Sequence, residues 1–146
     1  SSDLALFVEE YETLKAQSIA AKMPLLGMMV EVPAAALAVS SFNADFFSIG
    51  SNDLVQYTTA AGRDIGAVAS LADLRHPAVL KLIEIVASYG QSSGRDVSLC
   101  GDAGGDSDLI PFLLRAGIRS LSAAPSLVGQ AKLAIASFSF ERTGGA

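Results

Sequence analysis

Sulfur, imidazole and charge are all scarce in this chain, and each shortage rules something out. One cysteine, Cys100, cannot form an internal disulfide, so a reducing, cytoplasmic setting is the expectation. Charged residues make up only 17% of the sequence, with a net charge of −5 and a pI near 4.7, which argues against nucleic acid as a partner. No apolar run is long enough to cross a bilayer and no basic-then-apolar leader opens the sequence, so a membrane partner is not expected either. The lone histidine, His76, stands directly before Pro77 and reads as the cap of a helix rather than as a reactive group. Low-complexity linkers are absent as well, and 146 residues suffice for one domain with a real core.

What the chain does have is apolar mass, 51% of its residues with a mean hydropathy of +0.44, cut into short blocks by Gly, Asp, Ser and Asn. That is the pattern of parallel strands buried by helices. Strands are predicted at Gly27 to Val32, stopped by Pro33, and at Asp45 to Gly50, Asp96 to Cys100 and Ser120 to Ala123. Helices are predicted from Asp3 to about Ala21, on the face Leu4, Phe7, Val8, Tyr11 and Leu14, and from Ala34 to Ser41. Further helices are predicted over Asn52–Ala61, Pro77 to about Tyr89, Leu109–Ala116 (closed by Gly117) and Ser126–Ser137. Residues 62–75 read as a long loop. The alternation implies an α/β fold with a parallel sheet and right-handed crossovers.

Three of these four strands run out into polar, reactive side chains: Glu31, then Asn52 with Asp53, then Cys100. In parallel α/β folds ligands gather at the carboxyl ends of the strands. The block from Asp45 to Tyr57, with Arg63 one loop later, brings an amide, a carboxylate and a guanidinium to one strand end. Hard oxygen donors beside an anion-binding arginine suit a magnesium-bound phosphorylated substrate. The plain alternative for Asn52 and Asp53 is an ordinary helix cap, and for Cys100 a small buried hydrophobe.

The blocks Gly27–Ala35, Asp45–Gln56 with Arg63, His76–Leu80 and Ser98–Asp102 resemble, in order and spacing, the second signature of the phosphoenolpyruvate-utilising enzymes. The details look most like that family's protein-phosphotransferase branch, Enzyme I of the sugar phosphotransferase system and its nitrogen-regulatory relatives. The resemblance covers nearly all of residues 3–137 and implies the C-terminal half of a (β/α)8 barrel. A complete barrel takes about 250 residues, roughly twice what is here, so the residues alone leave an open four-strand sheet or half a barrel. Self-association that closes a pseudo-barrel or joins open strand edges is expected. Residues 1–140 would form the half-barrel and 141–146 a disordered tail.

Carried over position by position, the resemblance makes Glu31 and Asp53 ligands of Mg²⁺. It makes Asn52, the backbone at Asp53 and Arg63 holders of the substrate phosphate. Cys100 becomes the acid that protonates the enolate carbon to give pyruvate. A thiol acting as an acid must keep its proton, and a carboxylate such as Asp102 nearby would help it do so. The implied partners are phosphoenolpyruvate, a phosphocarrier protein reached through an N-terminal region not in this sequence, and a second copy of the chain. The resemblance also implies a piece of a longer enzyme, inactive alone, whose phosphoryl acceptor is a histidine of another domain. Two alternatives stay open: a barrel fragment of a pyruvate phosphate dikinase or phosphoenolpyruvate synthase, and a non-catalytic regulatory or dimerising module. Departures from the family pattern are Asp102 where glutamate is usual, Gly62-Arg63-Asp64 for Asp-Arg-Gly, and Ala123-Ala124 for Met-Ser.

Overall fold

A computed structural model describes residues 2–62 and 66–139. The helix α1 (Ser2–Ala16) is followed by β1 (Gly27–Val30), α2 (Pro33–Leu37), β2 (Phe46–Gly50) and α3 (Ser51–Thr59). Then come α4 (Pro77–Ser93), β3 (Asp96–Cys100), α5 (Ile110–Arg115), β4 (Ser120–Leu121) and α6 (Val128–Ser137). All four strands are parallel and lie side by side in sequence order, β1-β2-β3-β4. Consecutive parallel strands joined by helices are the repeating unit of a partial barrel, the architecture expected above. The tail at 141–146 lies outside the described residues. No helix among the described residues is long and apolar enough to cross a membrane.

The register aligns Val30, Ile49, Leu99 and Leu121 in one row and Met29, Ser48, Ser98 and Ser120 in the next. Side chains alternate across a strand, so these rows face opposite ways. The first row, with Phe47, turns toward the helices: Val30, Phe47, Ile49 and Leu99 are all 0% exposed and pack with Leu54, Val79, Ile83 and Val86 in the main core. A smaller cluster of Ile110, Leu114 and Ala131 joins α5 to α6. The second row is left bare of helices, with Met29 and Ser120 exposed and Ser48 and Ser98 half-buried.

Local sequence explains where the elements begin and end. His76 caps α4, its Nδ1 accepting the Ala78 N–H at 3.2 Å, and Pro77 takes the first helical turn, where its lack of an N–H costs nothing. The helix then runs to Ser93, four residues past the predicted Tyr89, because its buried stripe continues through Gly90 before Gly94 closes it. Pro33 begins α2 rather than merely stopping β1, and a 3-10 turn at Val39–Ser41 replaces the end of the predicted helix. β4 shrinks to two residues because its register with β3 stops at Leu121, the Ser122 N–H donating the last bond to the Leu99 carbonyl at 2.8 Å. α1 ends at Ala16, five residues short of the expected Ala21, and Leu4, Phe7 and Val8 on its predicted apolar face stay exposed.

Candidate functional site

The carboxyl ends of β1, β2 and β3 lie side by side, and the three strand-end groups singled out above come with them. Glu31 follows β1, and its carboxylate lies against Gly50 at the end of β2: a Cβ on Gly50 would stand 3.0 Å from both Glu31 Cβ and Oε2. A side chain at position 50 would press on Glu31, which would have to give by a few tenths of an ångström. The position of Asn52 and Asp53 departs from a simple cap. Gly50 holds the capping position of α3 and no side chain caps the helix, so Asn52 and Asp53 lie inside its first turn. The uncapped first-turn N–H groups and the positive end of the helix dipole favour an anion there.

The Asn52 side chain points across to β3 instead of back onto its own helix. Its Nδ2 donates to Asp102 Oδ2 at 3.2 Å, and its Oδ1 accepts the Asp102 N–H at 3.3 Å. The two residues therefore hold each other reciprocally, and the Asp102 carboxylate is directed toward the Asn52 amide. Cys100, half-buried at the end of β3, has other neighbours. Its thiol donates to the Ile49 carbonyl at 3.5 Å, accepts from Ser48 Oγ at 3.6 Å, and lies 3.8 Å from Met29 Sδ. Ser48 in turn accepts from Ser98 Oγ at 3.2 Å, so a short line of hydroxyls leads along the bare face to the thiol.

Beside this rim is an open cleft of about 500 Å³, walled by Asn52, Gln56, Asp73, Arg75 and Asp102 among others. Arg75 grips Asp73 through Nε at 3.0 Å to each carboxylate oxygen and through Nη2 at 2.8 Å. These hydrogen bonds hold the Asp73 carboxyl below its ordinary range and push the Arg75 guanidinium above its own. Arg63, the expected phosphate holder, lies outside the described residues.

Glu31 and Asp53 are hard carboxylates on neighbouring strand ends, and among the described residues no cluster of three acidic, histidine or cysteine side chains could hold a metal. Two protein carboxylates fit Mg²⁺, an ion that keeps its remaining positions for water and substrate oxygens. They would not make a closed structural site. Sequence reading missed Ser48, Ser98, Met29 and Ser51. A signal existed for the serines, since Ser48 and Ser98 occupy the same place two residues before a strand end.

A family model described as the PEP-binding domain of PEP-utilising enzymes matches residues 2–140. A phosphoenolpyruvate-protein phosphotransferase of Haloferax volcanii is 42% identical over 125 residues, covering 84% of this chain and 22% of that protein. One of Borreliella burgdorferi is 50% identical over 103 residues, covering 69% of this chain and 18% of the relative. A probable phosphoenolpyruvate synthase of Pyrococcus horikoshii is 48% identical over 105 residues, 70% of this chain and 13% of that protein. The chain thus spans at most about a fifth of the length of these relatives.

Proposed function

The chain belongs to the PEP-utilising enzymes, whose PEP-binding domain it carries, and on that premise we propose that it is the site-bearing part of a phosphoenolpyruvate–protein phosphotransferase. The enzyme moves the phosphoryl group of phosphoenolpyruvate to a histidine on another domain and releases pyruvate. A phosphocarrier protein then takes the group onward, in the cytoplasm. The observation that carries this reading is the convergence of Glu31 over Gly50, of Asn52 and Asp53 in the first turn of α3, and of Cys100 beside them at one sheet end.

In this reading Glu31 and Asp53 hold Mg²⁺, which when bound supplies positive charge against the phosphate and enolate oxygens. The Asn52 amide and the N–H of Asp53 orient the phosphate at the helix start, where backbone donors and the helix dipole already favour an anion. Arg63 adds a guanidinium fork to the same phosphate. The enol oxygen–phosphorus bond breaks as the bond from histidine nitrogen to phosphorus forms. The enolate carbon then takes the proton of the Cys100 thiol to become the methyl group of pyruvate, and water returns a proton to the thiolate. The bare face and the single-neighbour edges of β1 and β4 support self-association of the isolated chain.

The test uses an enzyme of the relatives' length that contains this sequence. Cys100→Ala is expected to slow pyruvate formation by about a hundredfold or more, the usual worth of a positioned proton donor, while phosphoenolpyruvate still binds. Asp53→Ala is expected to abolish Mg²⁺-dependent transfer. Full turnover in both variants refutes the assignment. The synthase-named relative favours a second reading, in which the same strand-end site serves a phosphoenolpyruvate synthase. Transfer of label from phosphoenolpyruvate to a carrier protein selects the first reading; its absence together with nucleotide-dependent pyruvate phosphorylation selects the second.

A further inference from the structure

Ser51 is the one fully buried polar side chain among the described residues, 1% exposed. A hydroxyl taken out of water needs a partner, and this one donates to the backbone carbonyl of Cys100 at 2.7 Å. The place of that bond matters. Pairing of β2 with β3 ends at Gly50 opposite Cys100, and the chain of β2 then turns away as α3. The Cys100 carbonyl thus sits where the ladder stops supplying donors, and the Ser51 hydroxyl provides one.

The next two residues continue the attachment. Gly101 takes the left-handed φ of 103°, and a Cβ there would overlap Ser51 Oγ and stand 3.1 Å from Asn52 Oδ1. Asp102 then exchanges two hydrogen bonds with Asn52. Residues 100–102 are laid directly over residues 51 and 52, which immediately precede Asp53.

We infer that Ser51 is a positioning residue, whose hydroxyl locks the Cys100–Gly101–Asp102 turn to the first turn of α3 so that proton donor and phosphate-holding groups keep one geometry. Its functional half rests on the reading above, in which Cys100 gives the proton; its structural half does not. Removing the hydroxyl leaves the carbonyl of Cys100 without its donor and frees the turn to open. Every fluctuation of that turn then changes the distance between the thiol and the groups at the helix start.

The experiment measures how fast iodoacetamide alkylates Cys100, the sole cysteine, in the folded 146-residue chain, with a thermal melt alongside. Ser51→Ala is expected to react about tenfold faster than the parent, the factor by which loss of one buried hydrogen bond shifts a local opening equilibrium. An unchanged rate in a folded Ser51→Ala chain overturns the proposal. Should that variant fail to fold, Ser51→Thr and Ser51→Val decide, since they differ only by hydroxyl for methyl. Slower alkylation of the Thr variant upholds the tie, and equal rates overturn it. In the longer enzyme, Ser51→Ala is expected to lower kcat about tenfold with KM within about twofold, and Ser51→Thr to restore it. A change in KM alone overturns the functional half. Failure of the assignment of Cys100 itself is read separately, from full activity of Cys100→Ala.

Discussion

Phe46 and Phe47 are the same amino acid on the same strand, yet they belong to two different surfaces. Phe47 faces the helices, is 0% exposed, and meets the edge of Tyr89 with ring centroids 5.8 Å apart. Phe46 lies on the bare side and is 37% exposed. The difference extends along the sheet: valine, isoleucine and leucine fill the covered row, while methionine, serines and the cysteine fill the open one. Parallel sheets are normally covered on both faces. One face here is devoted to cohesion of the domain, and the other leads to the reactive groups and to whatever completes the fold.

The strongest way to break that comparison is to truncate both phenylalanines. Phe47→Ala is expected to cost about 3–5 kcal/mol by urea denaturation, a large share of a small domain's stability. Phe46→Ala is expected to cost no more than about 1 kcal/mol, because part of its ring is already in water. Equal losses would mean that the two faces do not differ in the way their burial implies.

A middle-sized effect concerns association. Light scattering at a concentration on the order of ten micromolar is expected to show oligomers of the isolated chain, and Phe46→Ser with Met29→Ser to shift them toward monomer. A monodisperse monomeric parent would remove self-association from the proposal. If the parent associates and the double variant leaves its mass unchanged, the contact lies on another surface, such as the exposed side of α1.

The smallest effect should lie at the cleft wall, on neither face. The Asp73 carboxyl is depressed by the hydrogen bonds from Arg75, so its stabilising contribution is present above its unfolded pKa and lost as pH falls through the lower folded value. Melting curves of the parent and Arg75→Ala should therefore differ slightly at neutral pH and converge in acid below the ordinary carboxylate value of 3.8. A gap that persists or widens in acid would assign the loss to something other than this pair. Exposure of both side chains keeps the difference small.

Most of the fold was legible in the sequence because apolar periodicity and punctuation are local. β3 falls on Asp96–Cys100 as predicted, β2 starts one residue later than predicted, and His76 is the expected cap. Ends set by pairing were less legible, since nothing in Ser122 or Ala123 says that the paired register with β3 stops at Leu121. The same limit applies to the site. The spacing of Glu31, Asn52, Asp53 and Cys100 could be read along the chain, and their strand-end placement followed from topology. The tie from Ser51 to Cys100 joins residues 49 apart and depends on register, which no local pattern encodes. Asn52 was legible as polar and reactive, but its exchange with Asp102 was not, and that exchange now limits which donors Asn52 can offer a ligand.

The sequential strand order has a consequence for biogenesis. Each strand pairs with the one synthesised just before it, so the sheet can grow by addition at a single margin as the polypeptide leaves the ribosome. No early strand must wait, unpaired on both sides, for a later one to be inserted between it and its neighbour. The serine and asparagine at the start of α3 are likewise made long before residues 100–102, so the reactive rim is assembled only when β3 emerges. A nascent chain halted before that point would carry a formed β1-β2 pair with a half-built rim.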